Sequence, residues 1–154
     1  ECKVFHIFRI VLYFCKRENF GQVNMIDITQ LENAWRSENG PKPRFEKMTA
    51  DIVKIETSYL DVEGLPITLY VYEESSLFGS QLRISDGGYV TEDLALAEGR
   101  GELTRSELND VKAQLKGTDV RLDKRDASLY MKTKFEDYDV DVVRLCETIQ
   151  RLQQ

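Results

Sequence analysis

The sequence predicts an α+β fold, an antiparallel sheet built as a meander plus a C-terminal hairpin and packed with about four helices. Three observations carry that prediction. Ile67-Thr68-Leu69-Tyr70-Val71-Tyr72 alternates in polarity and is rich in β-branched and aromatic residues, the pattern of a half-buried strand. Leu82-Arg83-Ile84-Ser85 repeats the alternation and runs into Asp86-Gly87-Gly88, whose glycines accept the positive φ of a tight turn. Val142, Leu145, Cys146, Ile149 and Leu152 fall on one side of a helix drawn from Asp139 to Leu152.

The remaining elements follow in chain order. Residues 1–24 hold a dense apolar run, Phe5 to Cys15, broken by Arg9 and shorter than the ~20 residues that span a bilayer. They read as a leader, an appended extension, or an accessory strand or helix covering apolar surface, with residues 25–154 as one α+β domain. Ile28, Leu31 and Trp35 mark one helical face, with Asp27 as cap and Asn39-Gly40-Pro41 as its end. Phe45 to Leu60 reads as mixed, leading into a strand from Ile52. Segments 52–60, 67–73 and 81–86, separated by Gly64-Leu65-Pro66 and a polar connection, make the meander. Thr91 is the candidate cap of a short helix, with Glu92 and Asp93 in its first turn. Thr104-Arg105-Ser106-Glu107 has the Thr-x-x-Glu pattern of a capping box, and its helix runs to Gly117. Val120–Leu122 and Leu129–Met131 flank Asp123 to Ala127 as a second hairpin.

Composition sets the bounds on function. At 154 residues, 42% hydrophobic and 31% charged, the chain buries enough surface to fold without a metal or disulfide staple. The three cysteines, Cys2, Cys15 and Cys146, are odd in number and widely spaced, which favours a reducing cytoplasm over secretion. The formal charge is −6; leaving out Lys3, Arg9, Lys16 and Arg17 against Glu1 and Glu18 takes residues 25–154 to −8. That sign argues against a nucleic-acid-binding surface dominated by phosphate contacts and leaves room for a basic protein partner.

Known reaction centres are largely excluded by what the chain lacks. Its one histidine is His6, outside residues 25–154, so that region has no imidazole for a nucleophile triad or a zinc site. Cys146, the one thiol there, lies on the apolar stripe of the last helix and reads as core. Asp137, Asp139 and Asp141 have the spacing that opens a calcium loop, but Val142 stands where that loop needs Gly and Thr148 where it needs Glu. They read instead as a negative helix start. Asp86, Glu92 and Asp93 remain as an acidic cluster, although an Asp at a Gly-Gly turn commonly closes that turn with its own side chain.

Several blocks together carry a resemblance. Thr57-Ser58-Tyr59-Leu60-Asp61, Leu65-Pro66-Ile67-Thr68-Leu69-Tyr70-Val71, Leu82-Arg83-Ile84-Ser85-Asp86-Gly87-Gly88-Tyr89 and Asp93-Leu94 are similar in order and spacing to signature blocks of a bacterial and phage family. Residues 25–154 thus resemble the domain of unknown function 1828 family. Thr57-Ser58-Tyr59 departs from the family's frequent Thr-Pro-Phe, and the connection from Glu73 to Gln81 is longer. The resemblance implies the fold and a phage or mobile-element setting, in which accessory proteins often act on host machinery.

The resulting expectation is a small acidic, non-enzymatic interaction protein of the cytoplasm. It would bind and block a host protein such as a CRISPR or restriction defence component. Tyr72, Glu73, Glu74, Phe78, Asp86, Tyr89 and Glu92 are the expected binding residues. The alternative is a metal-dependent hydrolase using Asp86, Glu92 and Asp93, and homodimerisation is a third reading. No cofactor, membrane or direct nucleic-acid partner is expected.

Overall fold

The computed structural model describes residues 26–76 and 79–154. The expectations for residues 1–24 and for Phe78 lie outside the described residues. The chain enters helix α1 (Ile28–Ala34) through Asp27, whose Oδ1 accepts the Thr29 N–H at 2.9 Å and so satisfies one open donor of the first turn. Gly40, at φ 95°, then turns the backbone away after a short 3₁₀ segment, Ser37–Asn39.

The segment that reads as mixed in sequence is a hairpin of β1 (Arg44–Lys47) and β2 (Ile52–Leu60). Strand β1 was not expected, for a physical reason: as an edge strand it needs only Phe45 toward the core, so no alternation is visible in Arg44-Phe45-Glu46-Lys47. Strands β3 (Pro66–Ser76) and β4 (Gly79–Ser85) continue the meander. The expected second hairpin is β5 (Arg121–Leu122) with β6 (Leu129–Thr133), and β6 pairs with β4. The six strands lie in the order β1-β2-β3-β4-β6-β5, with every pair antiparallel. Three helices complete the chain: α2 (Tyr89–Ala97), α3 (Arg105–Gln114) and α4 (Tyr138–Leu152). Helix α3 opens on the expected capping box, Thr104 with Glu107. The fold is α+β, and no described helix is long and apolar enough to cross a membrane.

One sheet face carries the main core. Val53, Ile55, Ile67, Leu69, Val71, Ile84, Leu129 and Met131 meet Leu31 of α1, Val111 of α3 and the stripe Val142, Leu145, Cys146, Ile149 of α4. Burying each such Leu or Ile side chain stabilises the fold by about 1.5–3 kcal/mol. Cys146 sits in this layer with no exposure, and burial pushes its thiol up to about 12, which suits a packing role. Asp139 does more than favour a helix start. It is buried and takes Arg36 Nη2 and Nε at 2.7 and 2.9 Å and Asn39 Nδ2 at 2.7 Å, fastening the 3₁₀ segment to α4.

The second sheet face is a second buried layer. Ile52, Tyr70 and Tyr72 form their own apolar cluster, and Arg83 beside them is only 3% exposed. The Arg83 guanidinium stacks 3.7 Å above the Tyr130 ring and pairs with Asp123 at 2.7 Å. A buried cation survives there because aromatic and carboxylate partners replace its water. For Asp123, burial raises the pKa, but hydrogen bonds from the Arg125 N–H and the Arg83 and Arg125 side chains outweigh it and hold the group at about 2. Its contribution to stability is therefore present above the ordinary carboxylate range and is lost as pH falls toward 2.

Arg83→Met should cost about 3 kcal/mol, the low end for breaking a buried pair, because Arg125 still serves Asp123. Removing Asp123 as well should recover a large part of that loss. Urea titrations of the single and double variants decide; a single-variant cost below about 1 kcal/mol would mean the pair contributes no more than a surface bridge.

Candidate functional site

The predicted strand-turn-helix corner is built around one carboxylate. Strand β4 ends at Ser85, Gly87 and Gly88 take φ values of 70° and 89°, and α2 begins at Tyr89. Asp86 is fully buried. Its Oδ1 accepts the N–H groups of Gly88 and Leu129, each at 2.8 Å, and its Oδ2 accepts the Val90 N–H at 2.9 Å. These contacts join the turn, the start of α2 and strand β6. The expectation that Thr91 caps the helix is corrected accordingly: the cap position is Gly88, three residues earlier, and Asp86 supplies the acceptor from outside the helix. The Thr91 hydroxyl lies beside the Gly88 carbonyl at 3.2 Å and the Ala127 carbonyl at 2.8 Å, tying α2 to the β5–β6 loop.

Beside the corner lies a cleft of about 420 Å³ between α2, the β2–β3 turn and the second sheet face. Tyr89, Glu92, Asp93 and Leu96 reach it from α2, Asp61, Glu63 and Leu65 from the turn, and Lys54, Glu56 and Tyr70 from the sheet. Asp61 shapes the turn through its own Oδ1, which accepts the Glu63 and Leu65 N–H groups at 2.9 Å each. Its Oδ2 accepts the Tyr89 hydroxyl, so the first residue of α2 is bound to that turn. Next to the turn the β2–β3 register shifts between Glu56 and Leu60, and the Thr57 hydroxyl donates to the Ile67 carbonyl at 2.8 Å.

The electrostatics of the cleft are set by acids in a partly dry place. Asp93 is held above the usual carboxylate range, first by burial and then by the charges of Glu63, Asp61 and Glu92, against the lowering effect of a Tyr89 hydrogen bond. Burial first, then the charges of Asp86 and Glu46, push the Tyr70 phenol up to about 12. Tyr89 is raised as well, by burial and by its bond to Asp61.

The described sequence-derived residues fall in three places. Asp86, Tyr89, Glu92 and Asp93 share the cleft. Tyr72 and Glu74 belong to the Arg83 network: Glu74 lies 3.9 Å from Arg83 and 3.5 Å from Lys132, and Tyr72 is buried. Alternation along β3 turns Glu73 to the opposite face. The hydrolase reading needs Asp86 to present its carboxylate to a cation, yet both oxygens are engaged by backbone donors. Among the described residues, no three His, Cys, Asp or Glu side chains are grouped to hold a metal ion.

Asp61, Tyr70 and Arg83 were missed as organising residues. Asp61 carried a signal, an Asp three residues before Gly64 at a turn. Arg83 carried none, because a strand arginine reads as solvated until its partners Tyr130 and Asp123, 47 and 40 residues away, are placed. No family model, curated protein or solved structure matches the chain.

Asp93→Asn should stabilise the fold near neutral pH. A carboxyl raised on folding contributes most below its unfolded pKa and loses that contribution as pH rises through its folded pKa. The variant should melt higher than the parent at about pH 7 and alike at about pH 3, where both side chains are neutral. An unchanged or lower melting temperature at about pH 7 would remove the charge penalty assigned to Asp93.

Proposed function

We propose that the chain is a small, acidic, non-enzymatic interaction protein that grips a protein partner at the α2 cleft. The observation that carries this is the placement of exposed apolar side chains. Leu65 and Leu96, 38 and 44% exposed, line the cleft from the β2–β3 turn and from α2, and Leu60 and Val62, 50 and 69% exposed, stand at the end of β2 and in the turn that follows it. Scattered single hydrophobics carry no meaning on a surface, but a group rimming one acidic cleft suits a protein interface. The rim is also held rigidly, through Tyr89 and Asp61 and through Gln150 Nε2, which donates to the Leu60 carbonyl at 2.8 Å. A preformed surface loses less freedom on binding.

On this reading, the resemblance of residues 25–154 to the domain of unknown function 1828 family supplies the setting, a phage or mobile element. The partner is then a host protein, such as a CRISPR or restriction defence component, blocked by occupancy in the cytoplasm. An interaction protein of this kind requires no reaction centre. That agrees with an Asp86 committed to the backbone rather than to a substrate.

Leu96→Asp tests the proposal, since it places a charge on the rim without touching the core. The parent chain should recover a stoichiometric host protein in affinity capture, and Leu96→Asp, with unchanged circular dichroism, should lose at least about tenfold in affinity, or roughly 1.4 kcal/mol. Equal recovery by both chains would place the interface elsewhere. Catalytic turnover by a parent chain that captures nothing would replace the reading with an enzyme.

A further inference from the structure

We propose that the outer edge of β1 pairs with the same edge of a second copy of this chain, joining two six-stranded sheets antiparallel across a two-fold axis at Phe45. The backbone decides which groups can make that joint. The Met48 N–H donates to the Ile52 carbonyl at 3.0 Å, and hydrogen-bonded pairs alternate along an antiparallel ladder, so Glu46 with Lys54 and Arg44 with Glu56 bond across to β2. Phe45 and Lys47 therefore turn their N–H and C=O groups outward. No strand lies beyond β1 among the described residues, and Arg44, Glu46 and Lys47 are exposed while Phe45 is partly buried. The opposite margin of the sheet, β5, has two residues and offers no comparable edge.

Charge selects both the occupant and the register. In a two-fold pair, outward residues must meet outward residues, which leaves few alignments. An axis at Arg44 sets Arg44 against Arg44, an axis at Glu46 sets Glu46 against Glu46, and an axis at Lys47 sets Lys47 against Lys47. Like charges directly opposite one another destabilise a sheet. The axis at Phe45 avoids this: Arg44 of each copy faces Glu46 of the other, and the two Phe45 side chains, each packed on its own core, meet in the hydrogen-bonded pair. The same alignment extends a ladder already present in each copy. Within one sheet Glu46 lies 3.6 Å from Lys54, and Arg44 sits opposite Glu56. Across the joint the row runs from Lys54 and Glu46 of one copy to Arg44 and Glu56 of the other, with the sign alternating at every step. Charged residues on an edge strand guard it against indiscriminate pairing, and this pattern admits the one partner that carries its complement by construction.

The experiment is sedimentation of the full chain across a concentration series, in which the parent should pass from monomer to dimer. Arg44→Glu and Glu46→Arg each set like charges at both contacts, and each should weaken self-association at least about tenfold with unchanged circular dichroism. Mixed together, the two variants should recover the dimer as a heterodimer, because every facing pair is then opposite in sign. Leu96→Asp, on the cleft rim, should leave self-association as it is, so the β1 edge and the partner surface are tested apart. A parent chain still monomeric at about 1 mM overturns the proposal. So does a dimer that either charge variant leaves intact, a mixture that fails to recover it, or a dimer lost on Leu96→Asp, which places the contact at the cleft. Shifts of the Phe45 and Lys47 amide signals on adding a host protein to a chain that stays monomeric also overturn it, and assign the edge to a foreign strand.

Discussion

The rest of the structure depends on the three backbone N–H groups that meet the Asp86 carboxylate. A buried carboxylate is costly to desolvate, and only close, directed donors offset that cost. Here Gly88, Val90 and Leu129 supply them at 2.8 to 2.9 Å from two sides, the turn into α2 and strand β6. One side chain thereby fixes where the helix leaves the sheet and where the second hairpin docks. Gly88 tightens the constraint. A Cβ there would meet the Asp126 carbonyl oxygen at 3.1 Å, and its φ of +89° is one that other residues rarely adopt. The corner is held by geometry that substitution strains, and Tyr89, Glu92 and Asp93 are aimed from it.

This arrangement separates the acids by task. Asp86 and Asp123 are buried and saturated, one by backbone donors and the other by arginines, and they hold the fold together. Asp93 stands among like charges in the cleft, where its charged form is disfavoured. The sheet supports both tasks, with one face filled by helices and the other by Ile52, Tyr70, Tyr72 and the Arg83 stack leading up to the cleft.

The sequence made legible whatever depends on short-range pattern. The alternation through Ile67–Tyr72, the Asp86-Gly87-Gly88 corner, the Thr104–Glu107 box and the stripe of α4 each follow from local periodicity or turn chemistry, and each stands in the structure. Strand β1 did not show, because an edge strand with a single inward residue has no alternation to detect. The cap position at Gly88 was displaced to Thr91 because the true acceptor, Asp86, lies outside the usual capping position. The second buried layer was hidden most thoroughly. Polar-looking Arg83 and Ser85 become interior only when partners distant in sequence close over them. Asp86, Tyr89, Glu92 and Asp93 were found as neighbours of the glycine turn, whereas Asp61, which completes the cleft across 28 residues, needed the fold.

Site-specific photo-crosslinking tests the central claim most directly, with the probe at Leu96 on the cleft rim and, as control, at Phe135. Phe135 is 39% exposed and lies beyond the end of β6 opposite the corner, so it shares the apolar character of the rim but not its place. In cells containing the partner, the Leu96 probe should give one protein adduct, and the Phe135 probe should give none. An adduct from Phe135 with none from Leu96 would contradict a binding surface organised by the Asp86 corner.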